Sequence, residues 1–209
     1  DIINIKQHKP EAKSLSSGQV LSCPYSFNQA KTIVKEMAES LSLDLVRKNY
    51  ITDHLNLYIN YDRENTAQKS VIDHYGRRVP KPALGTIRLD FKTNSTTLIT
   101  DALLNLYNEK VNPNFTIRKV TLTANNLIDA NTDLETHNAP SQPDLFTDYA
   151  ELERKRELEL KTLQKEYRIQ KAILTIRDRY GKNAILRGTN FEDGATMRSR
   201  HHQIGGHRA

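Results

Sequence analysis

Two groups of residues in this sequence have types and spacings suited to holding a partner. The first is a set of cations and hydroxyls on segments that alternate polar with apolar residues. It comprises Lys13, Ser14 and Ser16 in "KSLSSGQVL" (13–21), Arg88 and Lys92 in "GTIRLDFKTN" (85–94), and Arg118, Lys119 and Thr123 in "FTIRKVTLTANNLI" (115–128). Long cations neutralise phosphates, while hydroxyls and backbone N–H groups fix register, so this set suits gripping a nucleic-acid backbone without reading bases. Aromatics for base stacking are missing from the polar faces expected here, which argues against an RNA-recognition sheet. A generic solvated sheet face would look the same, and the pattern alone leaves that reading open.

The second group is "SQPDLFTD" (141–148), which follows the polar run "NTDLETHNAP" (131–140). Gln142 followed by adjacent Leu145 and Phe146 is what an extended docking peptide needs: an amide for the rim of a pocket and two large apolar groups to fill it. The same residues could instead form a hydrophobic staple with Leu152, with Thr147 or Asp148 as N-cap of the helix that follows. Residue types leave both readings standing, and they can alternate between free and bound states.

Catalytic sets are not found. There is no P-loop, G-x-S-x-G, H-E-x-x-H or paired-carboxylate pattern, and Asp90 reads as a surface strand residue. His201, His202 and His207 lack a Cys or acidic partner at a fixed metal-ligand spacing. Cys23 precedes Pro24 with no evident base and reads as a packed thiol.

Composition narrows the class further. The chain has 209 residues, 37% of them apolar, so a compact part and a less compact part are expected. A formal charge of +6 and a pI near 9.3 favour a partner of negative potential. A single cysteine excludes an internal disulfide and fits a reducing compartment. No apolar run spans a bilayer and the start has no signal-peptide pattern, so neither membrane nor export is expected. Residues 1–12 read as a linker running into a strand, as in the C-terminal piece of something longer.

The positioning elements follow from periodicity. After the first strand, which Pro24 should break, Ser26 is placed to cap a helix through about Lys48, with Ile33, Val34, Met37, Leu41 and Leu45 as one stripe. "HLNLYINYD" (54–62) and "GTIRLDFKTN" alternate as strands, the first burying Leu55, Leu57, Ile59 and Tyr61 and the second Ile87, Leu89 and Phe91. Residues 63–84 between them read as a long loop with a basic "YGRRVPK" portion. A helix over 95–110 and a strand over 115–128 complete the order β-α-β-β-α-β. The fold class is α+β: a four-stranded antiparallel or mixed sheet with two helices on one face, leaving the other face open and basic. Residues 129–147 then read as a tether and 148–181 as a long charged helix with Gly181 as C-cap. Residues 182–209 read as a basic Gly-rich tail. The helix's stripe of Ile169, Ile173, Ile176 and Tyr180 must touch something.

In order, "KSLSSGQVL", "GTIRLDFKTNST", "IRKVTLTANNLID", "QPDLF" and the closing "ATMRSRHHQIGGHRA" resemble the C-terminal part of Y-family translesion DNA polymerases. The resemblance is to the UmuC/DinB-like group, in its Gram-positive UV-damage-repair branch. It covers essentially the whole chain. It implies that 13–128 is a little finger, which lies in the major groove and grips the primer-template backbone. On that reading Arg118 and Lys119 match the basic template-contacting positions, Thr123 stands where a further cation is usual, and Lys13, Ser14 and Ser16 match a backbone-touching segment. It also implies that "QPDLF" is a sliding-clamp peptide, with Gln142, Leu145 and Phe146 as anchors and Pro143 in place of the usual Leu. The family's catalytic carboxylates do not occur here, so no cofactor is expected for this chain and Mg²⁺ is expected only in a separate catalytic region. A bacterial cytoplasmic, nucleoid-associated setting and a role in SOS damage tolerance are further implications. The alternative is a non-catalytic adaptor or regulator that uses the long helix to bind another protein.

Overall fold

Each of the first two helices begins on a serine. The computed structural model describes residues 13–65, 70–131, 149–204 and 207–208. Helix α1 (Phe27–Arg47) opens with a capping box in which the Ser26 hydroxyl accepts from Gln29 N–H and the Gln29 side chain accepts from Ser26 N–H. Helix α2 (Thr96–Lys110) is capped by Ser95, whose hydroxyl accepts from Leu98 N–H. Each such cap satisfies backbone donors that a helix start leaves orphaned, and contributes about 1 kcal/mol.

The sheet is built from β1 (Leu15–Tyr25), β2 (Tyr50–Tyr61), β5 (Ala83–Thr93) and β6 (Ile117–Asn125). Their spatial order is β1-β6-β2-β5, antiparallel throughout, and β7 (Ile128–Asp129) pairs with the start of β2. Leu21 of β1, Leu55, Leu57 and Ile59 of β2, and Val120, Leu122 and Ala124 of β6 form the buried face. Against them pack Ile33, Val34, Met37, Leu41 and Leu45 of α1 and Ile99, Leu103 and Leu106 of α2, in one core. Gly85 is required where α2 crosses β5, because a Cβ there would lie 2.8 Å from the Leu106 side chain. The expected α+β architecture is thus realised, with both helices on one face.

Several expectations need correction. Pro24 does not end β1, which runs on to Tyr25 with a register shift between Val20 and Tyr25. An edge strand tolerates the missing N–H. This irregular stretch leaves Cys23 exposed, not packed. Phe91 is 41% exposed and not a core residue. The register of β2 against β5 shifts between Thr52–Thr93 and His54–Arg88, which breaks the alternation before Phe91 is reached. The expected loop over 63–84 contains a hairpin, β3 (Ser70–Ile72) with β4 (Arg78–Pro80). Asp129, placed in the tether by sequence, is held in β7 and accepts from Asn49 Nδ2 at 2.8 Å.

The long helix α3 (Tyr149–Tyr180) has the expected bounds, and Gly181 follows it at φ +93. Its stripe does find a surface, but within the chain: Ile173 and Leu174 pack on Leu43 and Val46 of α1. Ile169 and Tyr180 remain exposed. The reason is that the docked face also carries two polar anchors. Glu166 accepts from the Ser95 hydroxyl at 2.5 Å and from Thr97 N–H at 2.8 Å, setting a carboxylate on the N-terminus of α2. Gln170, 1% exposed, donates to Asn94 O and the Thr96 hydroxyl.

The C-terminal segment, which shows no periodicity in the sequence, converges on one buried carboxylate. Glu36 of α1 is 1% exposed and accepts from Asn190 Nδ2, from Thr196 N–H and from Met197 N–H. A 3-10 turn (Gly188–Phe191) and a short helix α4 (Met197–Arg200) are thereby held on α1. Gly194, at φ +81, allows the close approach to Gln29, where a Cβ would meet the Gln29 side chain at 2.8 Å.

Candidate nucleic-acid interface

The face of the sheet turned away from α1 and α2 is paved in rows fixed by strand register. Ser16, Thr123, Asn56 and Thr86 form one row across β1, β6, β2 and β5. Gly18, Thr121, Tyr58 and Leu84 form the next, and Val20, Lys119 and Asn60 the one after. On the other side of the Ser16 row, His54 lies between Asn125 and Arg88. The centre is therefore hydroxyl and amide, and the cations stand towards the ends.

Arg118 and Lys119 owe their placement to a bulge. Ile117 pairs with Tyr61 and Lys119 with Asn60, so Arg118 is an extra residue in β6. Strict alternation from buried Ile117 would put Lys119 on the core side; the extra residue resets the phase, so that Val120 is buried again and Lys119 is exposed. Both cations thereby avoid the core face although they are adjacent in sequence.

The other sequence-derived residues divide. Ser16 and Thr123 are brought together, with their hydroxyls 3.0 Å apart, and the Ser16 hydroxyl also donates to Leu122 O. Arg88 is outward but sits 3.1 Å from Asp53, an exposed ion pair of the kind that contributes little to stability. Lys92 lies beyond the irregularity in β5 and is half-buried. Lys13 and Ser14 precede β1, and the Lys13 ammonium lies over the Tyr50 ring, 5.3 Å from its centroid. Gln142, Leu145 and Phe146 lie outside the described residues.

Sequence reasoning missed the contribution of β2. His54, Asn56, Tyr58 and Asn60 are its outward row, and Tyr58 corrects the expectation that this face carries no aromatic. Asn60 Nδ2 donates to the Tyr58 hydroxyl at 3.2 Å. The signal was present as the polar half of "HLNLYINYD", whose apolar half alone was used to define the core. Val20 and Leu84, 67% and 59% exposed, add two apolar groups to the open face.

The arrangement can neutralise phosphates at Arg118 and Lys119 and offer hydroxyl and amide hydrogen bonds between. Among the described residues no group of His, Cys, Asp and Glu could hold a metal ion, and no helix is long and apolar enough to cross a membrane.

No curated protein matches the chain in sequence. Among solved structures, one match is the "Complex of beta-clamp processivity factor and little finger domain of PolIV", at 9% identity and a TM-score of 0.38, covering 65% of this chain and all of that one. So distant a likeness carries no argument. The family described as "impB/mucB/samB family C-terminal domain" matches residues 12–137, more than half of the 209. On that match the chain belongs to the impB/mucB/samB family and carries its C-terminal domain, the Y-family polymerase part that its motifs resemble.

Proposed function

We propose that the open sheet face grips the phosphate backbone of primer-template DNA, and that the chain serves as the DNA-holding, clamp-recruiting part of an error-prone translesion polymerase in damage tolerance. The observation that carries this reading is the β6 bulge, which keeps Arg118 and Lys119 off the core face at one end of the strand whose Thr123 pairs with the Ser16 hydroxyl. Cations flanking neutral hydrogen-bonding groups favour contacts that are sequence-indifferent and salt-sensitive. Nucleotidyl transfer itself belongs to the region that carries the catalytic carboxylates.

Clamp recruitment is assigned to Gln142, Leu145 and Phe146. Its support is their order after a sheet of this family, together with the fate of the long-helix stripe. Ile173 is taken up by α1, so the stripe is only in part free for an adaptor's partner. The Leu145→Ala, Phe146→Ala double variant is expected to lose binding to purified sliding clamp in calorimetry, by at least about a hundredfold, as for removal of two hot-spot anchors. Undiminished binding would remove the peptide from the account and leave the DNA-holding face untouched.

A further inference from the structure

On the helix side of the sheet, where α1, the last turn of α3 and the C-terminal segment meet, lies a cleft of about 250 Å³. Arg47, Arg177, Lys182 and Arg200 line it, with His201 beside them and Asp44 as the carboxylate among the lining residues. Arg47 is shared with Asp178, but no ion pair is seen for Arg177, Lys182 or Arg200 among the described residues, so three lining cations face one lining carboxylate. The neighbouring acids are already engaged. Asp178 pairs with Arg47 at 2.8 Å, Glu39 lies 3.6 Å from Arg187, and Glu36 holds the C-terminal backbone.

The donors are incompletely matched. Arg177 Nη2 donates to Ile185 O, but its Nε is buried without a hydrogen-bond partner among the described residues. Arg200 Nη1 donates to Gln19 Oε1 at 2.8 Å. His201 Nδ1 faces Asn183 Oδ1 at 2.7 Å, and the Asn183 amide also donates to His202 Nε2, so one side chain fixes both imidazoles. Burial first, then the positive charges of Arg177, Lys182 and Arg200, push His201 down to about 4, so its ring is neutral at pH 7. Burial likewise raises Asp44, against the pull of Arg47 and its neighbours.

We propose that this cleft is a phosphate-binding site, separate from the open sheet face, in which Arg47, Arg177, Lys182 and Arg200 hold a compact phosphate group. Guanidinium forks match phosphate oxygens, and four cations around one small cavity favour a multivalent oxyanion over the spaced single charges of an acidic peptide. The phosphate can be free or can terminate a nucleic-acid strand; the chemistry recognised is the same. Because the site uses none of the open-face residues, it stands or falls independently of the proposed DNA grip.

The test is an NMR pH titration of the full chain, following the imidazole resonance that disappears in His201→Gln. Millimolar sodium phosphate should raise the His201 pKa by at least about one unit, since a bound anion offsets the surrounding cations. Lys182→Ala, at an exposed position, should weaken the effect about tenfold in phosphate concentration, as expected for loss of one charged contact, and Lys182→Ala with Arg200→Gln should abolish it. Arg118→Ala with Lys119→Ala should leave it intact. A 5′-phosphorylated oligonucleotide that reproduces the rise, where the unphosphorylated strand does not, assigns the site to strand ends; a rise with inorganic phosphate alone assigns it to free phosphate. An unmoved His201, or a rise of equal size in the double variant, overturns the proposal, as does a rise produced only by an acidic peptide.

Discussion

The two faces of the central sheet treat polar side chains in opposite ways. On the helix side the buried acceptors are consumed by the protein: Glu36 collects the backbone of the C-terminal segment, and Glu166 and Gln170 satisfy the start of α2. On the open side Lys119 is exposed, and among the described residues the hydroxyls of Ser16 and Thr123 bond only to each other and to a strand carbonyl. The lesson is that charge alone does not mark a binding surface. A buried carboxylate with every oxygen engaged is structural cement, whereas a cation re-aimed by a bulge is turned off the core.

Breaking these consumed groups should cost stability and spare binding at the open sheet face. Glu36→Ala should have the largest effect, a loss of roughly 3 kcal/mol in denaturant unfolding, because Asn190 Nδ2 and the Thr196 and Met197 N–H groups lose their acceptor in a buried site. A change under about 0.5 kcal/mol would mean that the C-terminal segment is held by something else. Glu166→Ala should cost less, about 1 to 2 kcal/mol, since Ser95 still caps α2 from within. His201 adds a pH effect, which its partial exposure keeps below the full linkage value. Its folded pKa lies near 4, below the ordinary 6.5, so the unfolded chain binds the proton more readily between those values. Its contribution is fully present above pH 6.5 and is lost as pH falls towards 4. Thermal melts across that window should fall less steeply for His201→Gln than for the unsubstituted chain.

Much of this division was legible in the sequence. Ser26, and the stripe Ile33, Val34, Met37, Leu41 and Leu45, announced α1, because caps and three- and four-residue spacings are local signals. Gly181 marked the end of α3 for the same reason. What stayed hidden depends on partners remote in sequence. Nothing near Glu36 says that residues 190–197 will cover it, and it reads as a solvated position on a helix whose other stripe is apolar. Irregular pairing is equally opaque: Phe91 alternates correctly as a buried residue and is turned out by a register shift that only β2 and β5 together define. On the open face, Arg118 and Lys119 were visible as types, but the reason both escape the core, an extra residue opposite Asn60 and Tyr61, was not.

The most direct measurement is the salt dependence of DNA binding by the unsubstituted chain and by the Arg118→Ala, Lys119→Ala double variant, on two duplexes of unrelated sequence. The account predicts stability unchanged within about 0.5 kcal/mol. It also predicts weaker affinity on both duplexes alike, and a log–log salt slope shallower by about 1.8, near 0.9 for each phosphate contact removed. An affinity and slope equal to those of the unsubstituted chain would contradict it.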